Sequence, residues 1–224
     1  MFSRRAKKDR EEPGYLRPYA EVARRVGAQF EALLWQNAEG QRRRFDVLAA
    51  MIEPEKRALA DLGCGRVDLL AHLHGLRRVP RRYVGVDGLR AMVEAGQRLI
   101  DEHGYHEAEV HELDFVADAD ALGELVRSRG LDTLVFSGSL NTLEQPVAEE
   151  VLHRAYSATP PGGLLAFNFL SDLFPRKEAG EEGPAFRFST LGLLAWALAR
   201  TPLVCFRHDY LGGHDATITM TKPA

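Results

Sequence analysis

Ala60-Asp61-Leu62-Gly63-Cys64-Gly65 is an apolar strand run that breaks into a glycine turn, and a helical pattern begins directly behind it. Glycines at such a turn let backbone come close to a ligand, and the free N–H groups of the helix N-terminus favour a negative group. Asp61, Gly63, Cys64 and Gly65 are therefore candidate ligand contacts. Two glycines alone are a weak signal, because a tight strand-to-helix turn needs them too. The next strand run, Tyr83-Val84-Gly85-Val86-Asp87, ends in an acid 22 residues beyond Gly65. That is close to the spacing of about 20 at which a carboxylate can accept both hydroxyls of a ribose. Gly88 and Leu89 follow it as the next helix begins, and capping that helix is the plain structural alternative for Asp87. A third run ends in Leu113-Asp114-Phe115, where a carboxylate can accept from an exocyclic amine while the aromatic covers a purine face. Alone, Asp114 reads as a turn residue; its weight comes from standing in register with the other two.

Outward from this stretch the pattern repeats. Residues 57–62, 82–86, 107–113, 131–136 and 164–169 read as strands alternating with helical runs that stop at Gly75, Gly104 and Gly130 or start at Pro146. Ser189 or Thr190 can cap a helix through Arg200, after which 203–211 and 216–221 read as two strands about Gly212-Gly213, so the last strand should be antiparallel. Within that helix Trp196 reads as buried. The expected fold is a three-layer, Rossmann-like α/β domain: a seven-stranded, mostly parallel sheet with an antiparallel last strand and helices on both faces. Residues 54–224 form that core. Residues 1–53 form a basic tail and a helical cap, read as two amphipathic helices joined near residues 37–40. Residues 171–188, rich in charge, Pro and Gly, form a long irregular insertion of the kind that serves as a lid or interface.

The 224 residues carry Lys+Arg 29 against Asp+Glu 32, net −3, so no overall basic field exists to draw in nucleic acid or an anionic membrane. The charge is uneven: residues 1–44 hold 11 basic and 6 acidic side chains, which most often means solvated helix faces and a frayed tail. Two cysteines, Cys64 and Cys205, suit a reducing cytosol and build neither a disulfide framework nor a metal cluster. No apolar run follows the charged N-terminus, and none approaches the roughly 18 to 20 residues of a membrane span, so a soluble, cytoplasmic protein is expected. His72 and His74, two apart on a helix, point about 200° apart and cannot share a metal. His208, Asp209 and Tyr210 are adjacent near a strand end, where a structural histidine outweighs an acid–base role.

The runs Ala60-Asp61-Leu62-Gly63-Cys64-Gly65, Gly85-Val86-Asp87, Leu113-Asp114-Phe115 and Pro161-Gly162-Gly163-Leu164-Leu165-Ala166-Phe167 together resemble the class I S-adenosylmethionine-dependent methyltransferases, over roughly residues 55 to 221. Gln41-Arg42-Arg43-Arg44-Phe45, following Trp35, is similar to a helix that precedes the core in some members. The resemblance implies S-adenosylmethionine as cofactor, lying across the ends of the first four strands. The glycine turn would face the methionine moiety, Asp87 with Gly88 and Leu89 the ribose, and Asp114 with Phe115 the adenine. It further implies that Ser137, Gly138 and Asn141, in the loop Phe136-Ser137-Gly138-Ser139-Leu140-Asn141, face the sulfonium and the incoming substrate, and brings Arg44 or Arg66 towards the methionine carboxylate. The loop lacks the Asn/Asp-Pro-Pro-aromatic run of enzymes that methylate nucleic-acid amines, so a small-molecule acceptor is expected, with a homodimer allowed. Arg66-Val67 stand where many members have a third glycine, and a valine there can crowd the cofactor. No catalytic base is identified. Two rival readings stay open: a non-catalytic cofactor-binding protein, and a nicotinamide oxidoreductase, whose third glycine would fall at Asp68.

Overall fold

β1 (Ala58–Leu62) is buried along all of its residues, the pattern of a central strand with helices over both faces. Its side chains alternate: Ala58, Ala60 and Leu62 enter one core layer and Leu59 the other. The same division runs through β2 (Arg82–Asp87), β4 (Thr133–Ser137) and β5 (Leu164–Leu170). Val84, Leu134, Phe136 and Phe167 join the first layer, whereas Tyr83, Val135 and Ala166 join the second. The computed structural model describes residues 12–175 and 184–224. The basic run at residues 1–11 and the middle of the 171–188 insertion, 176–183, lie outside the described residues.

With β3 (Ala108–Glu112), β6 (Val204–Arg207) and β7 (Asp215–Thr221), the sheet has seven strands in the order β3-β2-β1-β4-β5-β7-β6. β7 runs antiparallel to both of its neighbours, and the other pairings are parallel. The first layer is closed by α5 (Ala121–Arg129), α6 (Gln145–Ala158) and α7 (Thr190–Leu198), through Leu122, Val151, Leu152 and Leu193. The second is closed by α2 (Ala38–Ile52), α3 (Asp68–Gly75) and α4 (Arg90–His103), through Phe45, Leu48, Leu70 and Ile100. From β1 the chain builds outward to β2 and β3, then returns to place β4 on the other side of β1. A crevice therefore opens outside the carboxyl ends of β1 and β4, where an open α/β sheet takes its ligand. Among the described residues no helix is long and apolar enough to cross a membrane.

Three expectations need correcting. The first of the two N-terminal helices is shorter than expected, because α1 (Arg17–Val26) stops at Gly27, whose positive φ of 75° and N–H bond to Ala23 O end the helix. Phe30–Leu33 is a separate 3-10 turn, and Asn37 then caps α2 by accepting from Gly40 N at 2.7 Å. At the other end β6 stops at Arg207 rather than continuing to residue 211; Leu211–Gly213 is a 3-10 turn, and β7 slots between β5 and β6. Trp196 is half-buried, since α7 turns Leu193 and Ala197 inward and leaves Leu191 and Leu198 exposed.

Candidate active site

The glycine turn is shaped by steric need. Gly63 and Gly65 take positive φ of 79° and 54°, and a Cβ on Gly63 would collide with Ser139. Its N–H groups, however, are already engaged. Gly63 and Cys64 donate to Val86 O at 2.8 and 2.9 Å, and Gly65 donates to Asp87 Oδ2 at 2.9 Å. The N–H groups of the turn itself are thus spent within the chain, and the surroundings are acidic: Asp61, Asp68 and Asp87 all border the turn. Burial pushes the Asp61 carboxyl up to about 7, against the hydrogen bond from Tyr83 Oη, with the Asp87 charge adding to the rise. Burial likewise pushes Asp87 up to about 6, opposed by the N–H groups of Leu89 and Gly65. The Cys64 thiol is buried and held protonated.

Val67 does not crowd this region. It adopts a left-handed conformation, φ 60°, is fully buried, and packs into the second core layer. A Cβ on Gly96 of α4 would lie 3.2 Å from Val67 Cγ1, so the glycine on α4 makes the room that Val67 fills. A β-branched residue held there stores about 1–3 kcal/mol of strain.

At the end of β3, Asp114 accepts the Tyr15 hydroxyl on both oxygens, at 3.0 and 2.8 Å, and the N–H groups of Val116 and Ala117 on Oδ1, each at 3.1 Å. Phe115 stands beside it, buried edge-on against Phe136 at 5.6 Å. At the end of β4, Gly138 N donates to Asn168 Oδ1 at 2.7 Å, and the indole of Trp35 lies where a Gly138 side chain would have to go. Asn141 is buried, and its Oδ1 accepts Leu170 N at 3.4 Å. Leu16 lies against Gly88, and Leu33 against Gly65 at 2.5 Å from a would-be Cβ. The segment before α2 is therefore laid along the glycines of the crevice.

These groups enclose one cavity of about 940 Å³, within the range of about 300–1,000 Å³ usual for small-molecule and cofactor sites. Arg44, Asp61, Gly63, Cys64, Gly65, Asp87, Gly88, Leu89, Asp114, Phe115, Ser137, Gly138 and Asn141 all line it. Arg66 does not: its guanidinium turns to Asp68 at 3.0 Å, so it does not face the methionine end. Arg44 lines the cavity but is largely engaged, with Nε and Nη2 on the buried Asp215 carboxylate at 2.5 and 2.6 Å and its guanidinium 4.8 Å from the centre of the Trp35 ring. Arg42 and Arg43 are exposed.

The sequence reading missed the far end of the cavity, where Phe186, Arg187 and His214 stand with Trp35 and Leu170. His214 Nδ1 lies 2.6 Å from Asp215 Oδ1. The only signal was a His-Asp pair after a double glycine, and the neighbouring His208 attracted the attention instead. His208 is structural, its Nε2 lying 2.8 Å from Gly213 O, while Asp209 pairs with Arg207 and the Tyr210 hydroxyl meets Thr217 Oγ1 at 2.7 Å. His72 and His74 are spent separately, on Asp46 and Glu107.

A family profile described as a methyltransferase domain matches residues 59–163, the span from β1 to the turn before β5. No curated protein matches the chain by sequence. Among solved structures, an O-methyltransferase family protein from Burkholderia thailandensis is 18% identical with a TM-score of 0.67, covering 92% of this chain and 62% of its own. The chain thus spans less than two thirds of that protein. The DhpI complex with S-adenosylhomocysteine is 18% identical with a TM-score of 0.62, covering 94% of this chain and 96% of its own. Magnesium protoporphyrin IX methyltransferase from Synechocystis PCC 6803 with bound S-adenosylmethionine is 12% identical with a TM-score of 0.60, covering 82% and 80%. At these identities the structures speak for the fold. Over residues 59–163 the chain is thus similar to a methyltransferase domain, and its seven-stranded sheet with antiparallel β7 has the fold of these solved structures.

Proposed function

We propose that this chain transfers the methyl group of S-adenosylmethionine to a small-molecule acceptor, the cofactor lying across the carboxyl ends of β1 to β4 and the acceptor entering from the side of α2 and β7. The observation that carries this reading is the single cavity onto which Asp61, Asp87 and Asp114, from three neighbouring strand ends, all open. Three acids suit a ligand that brings a sulfonium and an ammonium group.

The polar atoms present fit that cofactor. Each oxygen of Asp87 accepts one backbone N–H, which leaves each a lone pair for a ribose hydroxyl. Asp114 Oδ1 is crowded by three donors, whereas Oδ2 accepts only Tyr15 and keeps room for the adenine amine. Asp61 would face the cationic methionine end, Phe115 the adenine ring, and Ser137, Gly138 and Asn141 the transferring methyl. Arg44 retains only the part of its fork not used by Asp215 for the methionine carboxylate. When bound, the cofactor supplies a methyl carbon already activated by positive sulfur. What the chain adds is alignment, worth up to about 7–11 kcal/mol, and exclusion of water by Leu16, Leu33 and Trp35 over the glycines.

Isothermal titration of the folded protein with S-adenosylmethionine and S-adenosylhomocysteine tests this. Micromolar binding of both is expected, and absence of heat at high protein concentration counts against it. Mass spectrometry of ligand released on denaturing freshly purified protein should find the adenosyl cofactor and no nicotinamide.

A further inference from the structure

We propose that His214 is the base that takes the proton from the methyl acceptor, and that the acceptor is accordingly a hydroxyl compound with an apolar, ring-sized body: a phenol. This rests on the methyl-transfer reading above. His214 immediately precedes β7, whose first residue, Asp215, pairs with Leu170 at the carboxyl end of β5, and β5 in turn sets Asn168 opposite Ser137 of β4. The imidazole therefore stands in the row of strand ends that continues from the cofactor crevice, on the cavity wall with Trp35, Leu170 and Phe186.

Its protonation pattern follows from its partners. Asp215 is fully buried and accepts two N–H groups from Arg44, a side chain that stays charged. Asp215 is then a carboxylate and can only accept, so the proton between it and His214 belongs to Nδ1. The opposite nitrogen, Nε2, carries the lone pair of the neutral ring. Phe174 meets the ring edge-on at 5.0 Å, and Arg187 Nη1 donates to the carbonyls of Ser171 at 2.8 Å and His214 at 3.4 Å, so ring and backbone are both held. His214 also lines a second cavity of about 700 Å³ on the side of α2, which gives the captured proton a way out.

The other ionisable groups of the main cavity are less suited. Asp61, Asp87, Asp114 and Asp68 are already bonded, to Tyr83, to backbone, to Tyr15 and to Arg66 respectively. Tyr15 and Tyr19 are driven further from ionisation by burial. In the step, the acceptor O–H bond breaks and its proton passes to Nε2. The oxygen forms a bond to the methyl carbon, and the electron pair of the broken S–C bond stays on sulfur, leaving a neutral thioether and an imidazolium that returns its proton to solvent. A base is needed where the nucleophile keeps its proton at neutral pH. That favours a phenol over a thiol, which ionises readily, and over tertiary amines or thioethers, which have no proton to lose. Asp215 acts through His214 and is a positioning residue.

The test uses the full chain with S-adenosylmethionine and three phenols of decreasing acidity, 4-nitrophenol, 4-cyanophenol and 4-methoxyphenol, with methyl ethers measured by mass spectrometry in single turnovers. His214→Gln should slow 4-methoxyphenol by about 10²- to 10⁴-fold and 4-nitrophenol, largely ionised already, far less. Affinity for S-adenosylhomocysteine should stay within about twofold. The acidic limb of the rate profile should disappear in the variant. That limb reports His214 among Asp215 and Arg44, Arg187 from the insertion, and Glu39, Arg42, Arg43 and Asp46 across the second cavity. Nitrogen-15 histidine spectra of the unmodified protein should show the Nδ1–H tautomer at His214, shifting in Asp215→Asn. Equal slowing of all three phenols, an unslowed His214→Gln, an Nε2–H tautomer, or methylation of none of the three by protein that binds S-adenosylhomocysteine would each overturn the proposal. Loss of S-adenosylhomocysteine binding in the unmodified protein would instead overturn the methyl-transfer reading beneath it.

Discussion

The two ends of the cavity are built by different means. At the ends of β2 and β3, acids bind mainly backbone that is close in the chain: Asp87 holds Gly65 N, 22 residues away, and Leu89 N, two residues away, and Asp114 holds Val116 N and Ala117 N besides the Tyr15 hydroxyl. At α2 and β7, side chain meets side chain across most of the sequence, for Arg44 and Asp215 are 171 residues apart. The first end is held by turn geometry, and the second depends on a buried ion pair whose partners arrive only when the sheet is complete. One difference follows at once: damage at the strand ends should weaken a ligand, whereas damage at Arg44 should weaken the fold.

The largest expected effect tests that contrast directly. Arg44→Ala leaves Asp215 buried without its counter-charge and should cost about 3–5 kcal/mol in urea unfolding; a loss under about 1 kcal/mol would mean that the far end is not held by this pair. Next, Asp87→Ala removes one or two charge-assisted bonds to a ribose and should weaken S-adenosylhomocysteine by about one to two orders of magnitude in titration calorimetry. Unchanged affinity would take Asp87 out of the site.

A third substitution separates packing from binding within the strand-end region. Gly96→Val forces a side chain against Val67 and should cost about 1–3 kcal/mol in thermal or urea melts, while leaving cofactor affinity within about twofold because neither residue lines the cavity. A large loss of affinity at unchanged stability would bring Val67 back into the site.

The smallest effect is the pH dependence. Asp61 and Asp87 keep their protons to about 7 and about 6 in the folded chain against an ordinary value of 3.8. Folded values above unfolded ones mean that the stability they contribute is complete below about 4 and is lost as pH climbs through 6 and 7. Urea midpoints of the ligand-free protein should fall over that window, and Asp61→Asn should flatten the fall. Binding of S-adenosylmethionine, whose positive charges favour the ionised acids, should strengthen over the same window. A calorimetric titration series that stays level from pH 5 to 8 would show that those acids do not feel the ligand.

The legibility of the two ends differed in the same way. Asp61 and Asp87 were readable because each stands at the end of an apolar run, and Asp114 because it ends the more polar strand run that follows in register with them. Val67 was readable as a departure, yet its direction was not, since the answer lay in Gly96 on a different helix. Arg44 was drawn towards the crevice by resemblance, but its buried partner in β7 was invisible to any local pattern. His214 was passed over for His208 because nothing in seven residues of sequence says which histidine faces a cavity and which bonds a turn carbonyl.

By itself the sequence determined the alternation of strands and helices, the sharp glycine turn and the three acids at consecutive strand ends, because these depend on side-chain periodicity and on backbone conformations that only certain residues adopt. Tertiary structure alone decided that β7 enters between β5 and β6, that Asp215 meets Arg44 beneath Trp35, and that His214 is thereby turned to the cavity. Those contacts join segments with no local preference for one another, and their energy is gained only once the intervening chain has been ordered.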